Sequence, residues 1–189
     1  MNLILASASP RRRELLEGLG LELTICPAKG EEHPVPGLSG GETALRLSRA
    51  KCLEIASQAR EDDVVIAADT VVCLDDQILG KPADEEDAAR MLRALSGRDH
   101  RVFTGVTVAR GDKVLSDYEE TAVHFRPLTE REIAAYIATG EPMDKAGAYG
   151  IQGRASLFVR AIEGDYFNVV GLPLCKLGQM LKELGVELI

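Results

Sequence analysis

Tryptophan is absent from the 189 residues of this sequence, and aromatic residues make up only 4% of it. The hydrophobic core must therefore be built mainly from aliphatic side chains. No apolar run approaches the ~20 residues that a membrane-spanning helix needs, so we expect no membrane partner. The four cysteines include no CxxC pair, which disfavours a zinc cluster. Their apolar neighbours predict reduced thiols in the core and a cytoplasmic protein.

Familiar catalytic and nucleotide-binding motifs are missing as well. The sequence contains no Walker A run, no GxGxxG and no HExxH. Positive charge is also in short supply, because the formal net charge is -8. An acidic chain is a poor partner for nucleic acid, so we expect no nucleic-acid binding. A small anion can still bind where cations are concentrated locally.

The order of the predicted elements indicates an α/β fold. Strands and helices alternate at first and strands cluster later, which favours a mixed, twisted sheet flanked by helices, with two lobes around a cleft. We expect residues 1–189 to form one domain. We expect His100 to lie in a loop and to make a hydrogen bond that supports the structure. The predicted strands cover residues 3–6, 21–26, 64–74, 78–79, 102–109, 113–125 and 157–159, and the predicted helices cover residues 10–19, 43–60, 84–95, 129–140 and 173–184.

The first candidate site is the run Ser-Ala-Ser-Pro-Arg-Arg at residues 7–12. Ser9 and Pro10 are typical of a helix start, where free backbone N–H groups carry partial positive charge. Arginines at that end are unfavourable unless an anion binds there, and a phosphate would satisfy both the serine hydroxyls and the guanidinium groups. The alternative is a solvated basic patch at an ordinary helix start.

Acidic and basic residues further along the chain form the second set of candidates. Asp69 lies inside an apolar, strand-like run, where a carboxylate needs a metal, a cation or hydrogen-bond donors to compensate it; the alternative is a cap at a strand end. Glu31 and Glu32 lie in a Gly- and Pro-rich loop and can complete a Mg²⁺ site with Asp69, or be a solvated pair. Lys51 and Lys81 can neutralise phosphate charge, although most lysines are merely solvated.

The third candidate is the glycine-rich segment at residues 144–153. Its glycines at positions 147, 150 and 153 allow the backbone to approach a ligand closely. Gln152 offers both a hydrogen-bond donor and an acceptor, which suits the edge of a nucleobase. The alternative interpretation is a tight connector between two elements.

Taken together and in this order, these runs resemble the Maf family of nucleoside triphosphate pyrophosphatases. The resemblance extends from Leu3 to about Leu174, and the ordered set is far more specific than any one run. It implies a mixed α/β fold related to inosine triphosphatases, and hydrolysis between the α and β phosphates that needs Mg²⁺ or Mn²⁺. The segment at residues 145–153 looks like the branch that acts on dTTP and UTP. A homodimer is also implied.

The resemblance implies a role for each candidate residue. Asp69 would be the proton acceptor and, with Glu32, a metal ligand. Lys81 would assist catalysis, and Arg11, Thr70 and Gln152 match positions that the family uses for substrate choice. The family often has Asp-Glu where this sequence has Glu31-Glu32, so no role is carried over to Glu31. The residues expected to bind the phosphates are Ser7, Arg11, Arg12, Lys51 and Lys81.

Three other functions compete with this one. A non-catalytic nucleotide-binding regulator of cell division would share the arginines but would not need Asp69 and Glu32 together. A nucleic-acid-binding module would use residues 11–13, although the acidic charge and few aromatics disfavour it. A phosphatase that removes only the terminal phosphate would differ in its products.

Overall fold

A mixed sheet of seven strands lies at the centre of the computed structural model, which describes residues 1–30 and 37–189. Strands β2, β1 and β3 run parallel, and β5, β6 and β7 continue the sheet in antiparallel pairs, while β4 pairs with the far end of β3. The strands are β1 Leu3–Leu5, β2 Leu23–Ile25, β3 Val64–Leu74, β4 Gln77–Leu79, β5 Asp99–Arg110, β6 Lys113–Phe125 and β7 Val159–Glu163.

Six α-helices in the described residues cover the sheet. They are α1 Pro10–Glu17, α2 Gly40–Ala56, α3 Glu85–Leu95, α4 Glu130–Ile137, α5 Tyr166–Val170 and α6 Leu174–Glu183. Three short 3-10 turns, Glu141–Asp144, Ala146–Ala148 and Arg154–Leu157, connect α4 to β7. Two capping boxes explain where α2 and α4 begin: Ser39 bonds Glu42, and Thr129 bonds Glu132, reciprocally in each case. The mixed α/β sheet flanked by helices is as predicted.

Strand β3 positions the site because it is buried on both faces. Its even-numbered residues, such as Ile66, pack with α1 and α6, while its odd-numbered residues, such as Ala67, pack with α2. Side chains alternate between the two faces of a strand, so Asp69 points towards α2 and Thr70 towards α1. The long apolar run that predicts β3 reflects this burial on both sides.

A cleft opens beside the middle of β3 because β1 is much shorter. The parallel pairing of β1 with β3 ends at Leu5 and Ile66, and β4 pairs with β3 only from Val72 onward. The edge of β3 between these partners faces the cleft, beyond the carboxyl end of β1. Ligands of open α/β sheets bind in such crevices.

Apolar clusters on each side of the cleft form the two predicted lobes. One is built around α1, α6 and the parallel strands, and contains Leu16 and Leu177. The other is built around α3, α4 and the 3-10 turns, and contains Leu92, Tyr136 and Phe158. No helix in the described parts of the chain is both long and apolar enough to cross a membrane.

Several boundaries differ from the predictions. Strand β5 begins at Asp99, so His100 lies in a strand and not in the predicted loop. It pairs there with Val123 of β6, and long-range pairing extends the strand past residues of weak β-propensity. The strand predicted at 157–159 instead spans Val159–Glu163, because residues 154–157 form a 3-10 turn that leaves Leu157 exposed. The sequence analysis predicted no helix at the position of α5, Tyr166–Val170.

The cysteines are only partly as predicted. All four are free thiols, and Cys52 and Cys73 are buried. Cys26 and Cys175 are exposed, so the prediction of four core thiols is wrong for these two. Cys26 follows the edge strand β2, and Cys175 lies on α6 away from its buried residues, such as Leu177.

Candidate active site

One cleft of about 1090 Å³ gathers the predicted site residues that the structure describes. Those residues come from the loop after β1, from α1, α2 and β3, and from the segments that follow β4 and the second 3-10 turn. The residues predicted for the site that line the cleft are Ser7, Arg11, Arg12, Lys51, Asp69, Thr70, Lys81 and Gln152. Glu32, the other predicted metal ligand, lies outside the described residues.

The start of α1 forms one part of the cleft lining. Ser9 is the residue before the helix and Pro10 is its first residue, as predicted, but the Ser9 side chain makes no capping hydrogen bond in the structure. The Ser7 hydroxyl instead accepts a hydrogen bond from the Ser9 backbone N–H at 3.2 Å. The tight loop therefore presents serine hydroxyls, Arg11 and a helix N-terminus to the same cavity.

The guanidinium of Arg12 is held in place by acceptors from separate parts of the chain. Its Nε donates to the backbone oxygen of Gly171 at 2.8 Å, and its terminal nitrogens donate to the hydroxyls of Ser7 at 3.2 Å and Thr70 at 3.1 Å. Thr70 is itself linked to Thr104 of β5 at 2.9 Å. Because these contacts restrict the side chain, Arg12 loses little further freedom when an anion binds.

Asp69 and Lys51 form an ion pair on the other face of β3. Lys51 Nζ contacts Asp69 Oδ1, and their side chains are only 21% and 11% exposed. The lysine supplies the compensation that a carboxylate in this apolar strand requires. Gly105 lies opposite Asp69 in β5, where a Cβ atom would come within 2.2 Å of the Ala44 oxygen. A glycine at this position therefore lets α2, which carries Lys51, pack closely against the sheet.

The charge lining the cleft is opposite in sign to that of the whole chain. Among the described residues, six basic and three acidic side chains line it, although the chain as a whole carries a net charge of -8. The basic side chains are those of Arg11, Arg12, Arg46, Lys51, Lys81 and Lys145. Cations concentrated in a cleft attract anions strongly. The arrangement suits a ligand with several negative charges, such as a polyphosphate.

Asp144 and Lys145 connect this charged region to the glycine-rich segment. Burial would by itself raise the pKa of Asp144, but a hydrogen bond from Lys145 and the charges of Lys145 and Arg11 hold it below its ordinary value. Lys145 Nζ donates to Asp144 at 2.6 Å. Gly147 has φ of 70° and donates its N–H to the Gly80 oxygen at 3.0 Å, so the glycine-rich segment packs beside Lys81.

The glycine-rich segment presents Gln152 on a short turn. The N–H of Gly153 donates to the oxygen of Gly150 at 3.2 Å, which closes a turn with Gln152 near its tip. Gln152 is exposed and lines the cleft. Its neighbour Tyr149 is buried, and the Tyr149 hydroxyl lies 2.7 Å from Nε2 of His100. The structural hydrogen bond predicted for His100 is therefore present.

The described residues of the cleft supply only part of the ligand set that a divalent metal ion requires. In residues 1–30 and 37–189, no three His, Cys, Asp or Glu side chains form a group that could hold a metal by themselves. Mg²⁺, however, usually binds through one or two carboxylates together with the phosphates of its substrate. Asp69 fits that pattern, because it lies in the same cleft as the basic side chains that suit a polyphosphate.

Two residues of the cleft were missed at the level of the sequence. Arg46 lies on α2 next to Leu47, which also lines the cleft, and Glu141 begins the first 3-10 turn. The i, i+4 spacing of Thr43, Leu47 and Lys51 would have indicated the face of α2 that lines the cleft. Nothing near Glu141 in the sequence distinguishes it from a solvated acid.

Comparison with solved structures defines the class of protein to which this fold belongs. A HAM1 protein from Coxiella burnetii superposes with a TM-score of 0.53 at 15% identity, over 97% of this chain and 99% of that chain. The Staphylococcus aureus Ham1 protein gives 0.52 at 13% identity over the same shares. The chain therefore has the HAM1-like architecture that was predicted.

Sequence comparison then identifies the family within that class. The model of the Maf-like protein family matches residues 2–184, and this chain belongs to the Maf family. A dTTP/UTP pyrophosphatase from Pelotomaculum thermopropionicum is 51% identical over 99% of this chain and 98% of its own length. A dTTP/UTP pyrophosphatase from Agathobacter rectalis is 50% identical over 98% of each chain. The family resemblance predicted from the ordered runs is confirmed.

Proposed function

We propose that this protein, a nucleoside triphosphate pyrophosphatase, hydrolyses dTTP and UTP in the cytoplasm to the nucleoside monophosphate and pyrophosphate, with Mg²⁺ or Mn²⁺. The observation that carries the proposal is the meeting, in one cleft, of the fixed Arg12, the Lys51–Asp69 ion pair and the turn that presents Gln152. Relatives about half identical over nearly the whole chain are dTTP/UTP pyrophosphatases, which supports the choice of nucleotide.

The triphosphate is bound by the basic side chains of the cleft. Arg12 offers a guanidinium already oriented by Ser7, Thr70 and Gly171, and phosphate oxygens accept well from such a planar fork. Lys81 and Arg11 line the same cavity and add charge that offsets the departing pyrophosphate. The rate gain in this scheme comes from positioning and electrostatics.

Asp69 performs the proton transfer. It accepts a proton from a water molecule as the water oxygen bonds to the α-phosphorus, and the bond from that phosphorus to the bridging oxygen breaks, which releases pyrophosphate. Lys51 holds the carboxylate in position and compensates its charge within the apolar strand. Asp69 and Glu32 would hold the metal ion, which supplies positive charge to the phosphate oxygens when it is bound.

Gln152 selects the base. Its amide carries both a donor and an acceptor, which matches the alternating N–H and carbonyl groups on the imide edge of uracil and thymine. Cytosine has an amino donor and an unprotonated ring nitrogen where uracil has the O4 acceptor and the N3–H donor, so an amide held in one orientation would lose both hydrogen bonds. That mismatch is expected to cost ~1–3 kcal/mol, so UTP is preferred to CTP.

A panel of nucleotides tests the proposal. The purified protein is incubated with dTTP, UTP, dCTP, CTP, dATP and dGTP, and both pyrophosphate and inorganic phosphate are measured, with Mg²⁺ and then with EDTA. We expect pyrophosphate, but not inorganic phosphate, to be released fastest from dTTP and UTP and to stop with EDTA. Nucleotide binding without turnover would support a regulator instead, and inorganic phosphate would indicate a terminal phosphatase.

A further inference from the structure

The turn that carries Gln152 is anchored from beneath the cleft. It spans residues 150–153 and is closed by the hydrogen bond from Gly153 to Gly150. Gln152 can read a base only if this turn holds its amide at a constant distance and angle from the ligand. Two hydrogen bonds to side chains from elsewhere in the chain attach the turn, one at each end. The two accepting side chains are also hydrogen-bonded to each other.

Tyr136 and Glu141 form that pair. The Tyr136 hydroxyl accepts a hydrogen bond from the N–H of Gly150 at 3.3 Å, at the beginning of the turn. The same hydroxyl donates to Glu141 Oε1 at 3.0 Å. Glu141 Oε2 then accepts from the N–H of Arg154 at 3.2 Å, just after the turn ends. One hydroxyl and one carboxylate therefore connect the two ends of the turn.

The pair is itself held firmly. Tyr136 is 3% exposed, and its ring packs edge-on against Phe158 with centroids 5.2 Å apart. Lys145 Nζ donates to the backbone oxygen of Glu141 at 2.6 Å. A Cβ atom on Gly153 would lie 2.0 Å from Glu141 Oε1, so the carboxylate lies directly against the turn. Any displacement of Glu141 would therefore move the backbone next to Gln152.

The chemistry of the pair suits a permanent contact. Burial, and then the hydrogen bond to Glu141, raise the pKa of Tyr136 above its ordinary value. The hydroxyl therefore remains protonated and keeps donating to Glu141 throughout the physiological pH range. A hydrogen-bond network in which each group has its partner holds a defined geometry, and the hydroxyl of the buried Tyr136 is at the centre of this one.

We infer that Tyr136 and Glu141 are positioning residues that set the base preference of the enzyme by fixing the turn that carries Gln152. The inference rests on the proposed role of Gln152 in reading the base. Tyr136 does not line the cleft. Glu141 does, but both of its carboxylate oxygens are bonded to groups beside the turn, so neither residue needs to touch the nucleotide. Supporting side chains of this kind determine how precisely a site discriminates.

A set of variants separates positioning from mere structural support. Tyr136→Phe keeps the ring and its packing but removes the hydroxyl that holds both Gly150 and Glu141. Glu141→Gln keeps the size of the side chain but leaves one acceptor oxygen for two donors, so it is expected to have a smaller effect. The matched controls are Tyr166→Phe and Glu130→Gln, because Tyr166 is exposed and Glu130 pairs with Arg93 at the surface.

The measurements are kcat and KM for UTP and for CTP, with thermal unfolding of each variant. We expect Gln152→Ala to reduce the UTP-to-CTP ratio of kcat/KM by roughly 10-fold. Tyr136→Phe should reduce it by about 5-fold, and Glu141→Gln by about 2-fold, while the controls leave it unchanged. In the double variant Tyr136→Phe with Gln152→Ala, the ratio should equal that of Gln152→Ala alone, because Tyr136 acts through Gln152.

Each other outcome is decisive. A normal ratio in Tyr136→Phe, beside a reduced ratio in Gln152→Ala, overturns the positioning role and leaves base reading by Gln152 intact. An additive loss in the double variant overturns it as well, since Tyr136 would then act elsewhere. An unchanged ratio in Gln152→Ala removes the base-reading proposal and this inference with it. If Tyr136→Phe fails to fold, Glu141→Gln with its own double variant gives the same comparison.

Discussion

The cleft has two linings that are built on different principles. The basic lining is built mainly on regular elements, with Arg12 on α1 and with Lys51 on α2 paired to Asp69 on β3. The glycine turn, residues 150–153, has no regular element and is held by hydrogen bonds to its backbone. Electrostatic attraction acts over several ångströms, whereas a hydrogen bond to a base requires accurate distance and direction.

This difference predicts how each lining responds to substitution. Changes in the basic lining should reduce the rate for every nucleoside triphosphate, because all of them carry the same phosphates. Changes around the glycine turn should alter the preference among bases with a smaller effect on the best substrate. The predictions for Asp69 and Arg12 test this division, and a third prediction, for His100, concerns the stability of the fold in acid; they run from the largest expected effect to the smallest.

Replacement of Asp69 by Asn should have the largest effect. Asparagine keeps the shape and an acceptor for Lys51, but it removes the negative charge and the proton acceptor. We expect turnover to fall roughly 100-fold or more for dTTP and UTP alike, with the fold retained. Pyrophosphate release and circular dichroism measure the two parts of this prediction.

The control for that variant is Asp75→Asn. Asp75 is exposed in the turn after β3 and has φ of 53°, a conformation that asparagine tolerates well. It should keep full activity. Near-normal turnover of Asp69→Asn would exclude this carboxylate from the chemistry and would leave Lys51–Asp69 as a structural pair.

Replacement of Arg12 by Lys should have an intermediate effect. One ammonium cannot reach Gly171, Ser7 and Thr70 in the arrangement that the planar guanidinium uses. We expect kcat/KM to fall roughly 10- to 100-fold for all nucleotides, with their order of preference unchanged. Steady-state kinetics on UTP and CTP measure both.

The neighbouring arginine supplies the control. Arg13 is exposed and pairs with Glu17 at 2.7 Å on the outside of α1. Arg13→Lys should therefore behave as the unmodified protein. A change in base preference in Arg12→Lys would contradict the division between the two linings, because the basic lining would then take part in selecting the base.

Replacement of His100 by Gln should have the smallest effect at neutral pH and a clear one in acid. Burial, with a smaller contribution from the charge of His124, lowers the pKa of His100 from 6.5 to about 4, against the opposing effect of Asp99. Below pH 6.5 the imidazole of residue 100 binds a proton in the unfolded chain but stays neutral in the folded protein. The contribution of His100 is therefore fully present above that pH and is lost as the pH falls towards 4.

The pH dependence of unfolding measures this loss. Between pH 7 and pH 5 the unmodified protein should lose roughly 2 kcal/mol more stability than His100→Gln, in which residue 100 does not titrate. Chemical denaturation at both pH values gives the two differences. Equal losses would show that the folded protein does not suppress the protonation of His100.

Much of the fold could be predicted from local sequence patterns. The apolar run at residues 64–74, the capping box at Thr129 and the Ser-Pro start of α1 each depend on neighbours in sequence, and the structure confirms them. Predictions failed where distant partners decided the outcome. His100 joins a strand because β6 pairs with it, and Arg46 lines the cleft because of how α2 lies on the sheet.

The sequence by itself determined that Asp69 and Thr70, as neighbours in a buried strand, must face opposite sides of the sheet. Only the tertiary structure decided what meets them there: Lys51 from α2 on one side, and Arg12 from α1 on the other. The same holds for Tyr136 and Glu141 beneath the glycine turn. The reason is that strand alternation and helix caps arise from local geometry, whereas contacts between distant residues depend on strand order and helix packing.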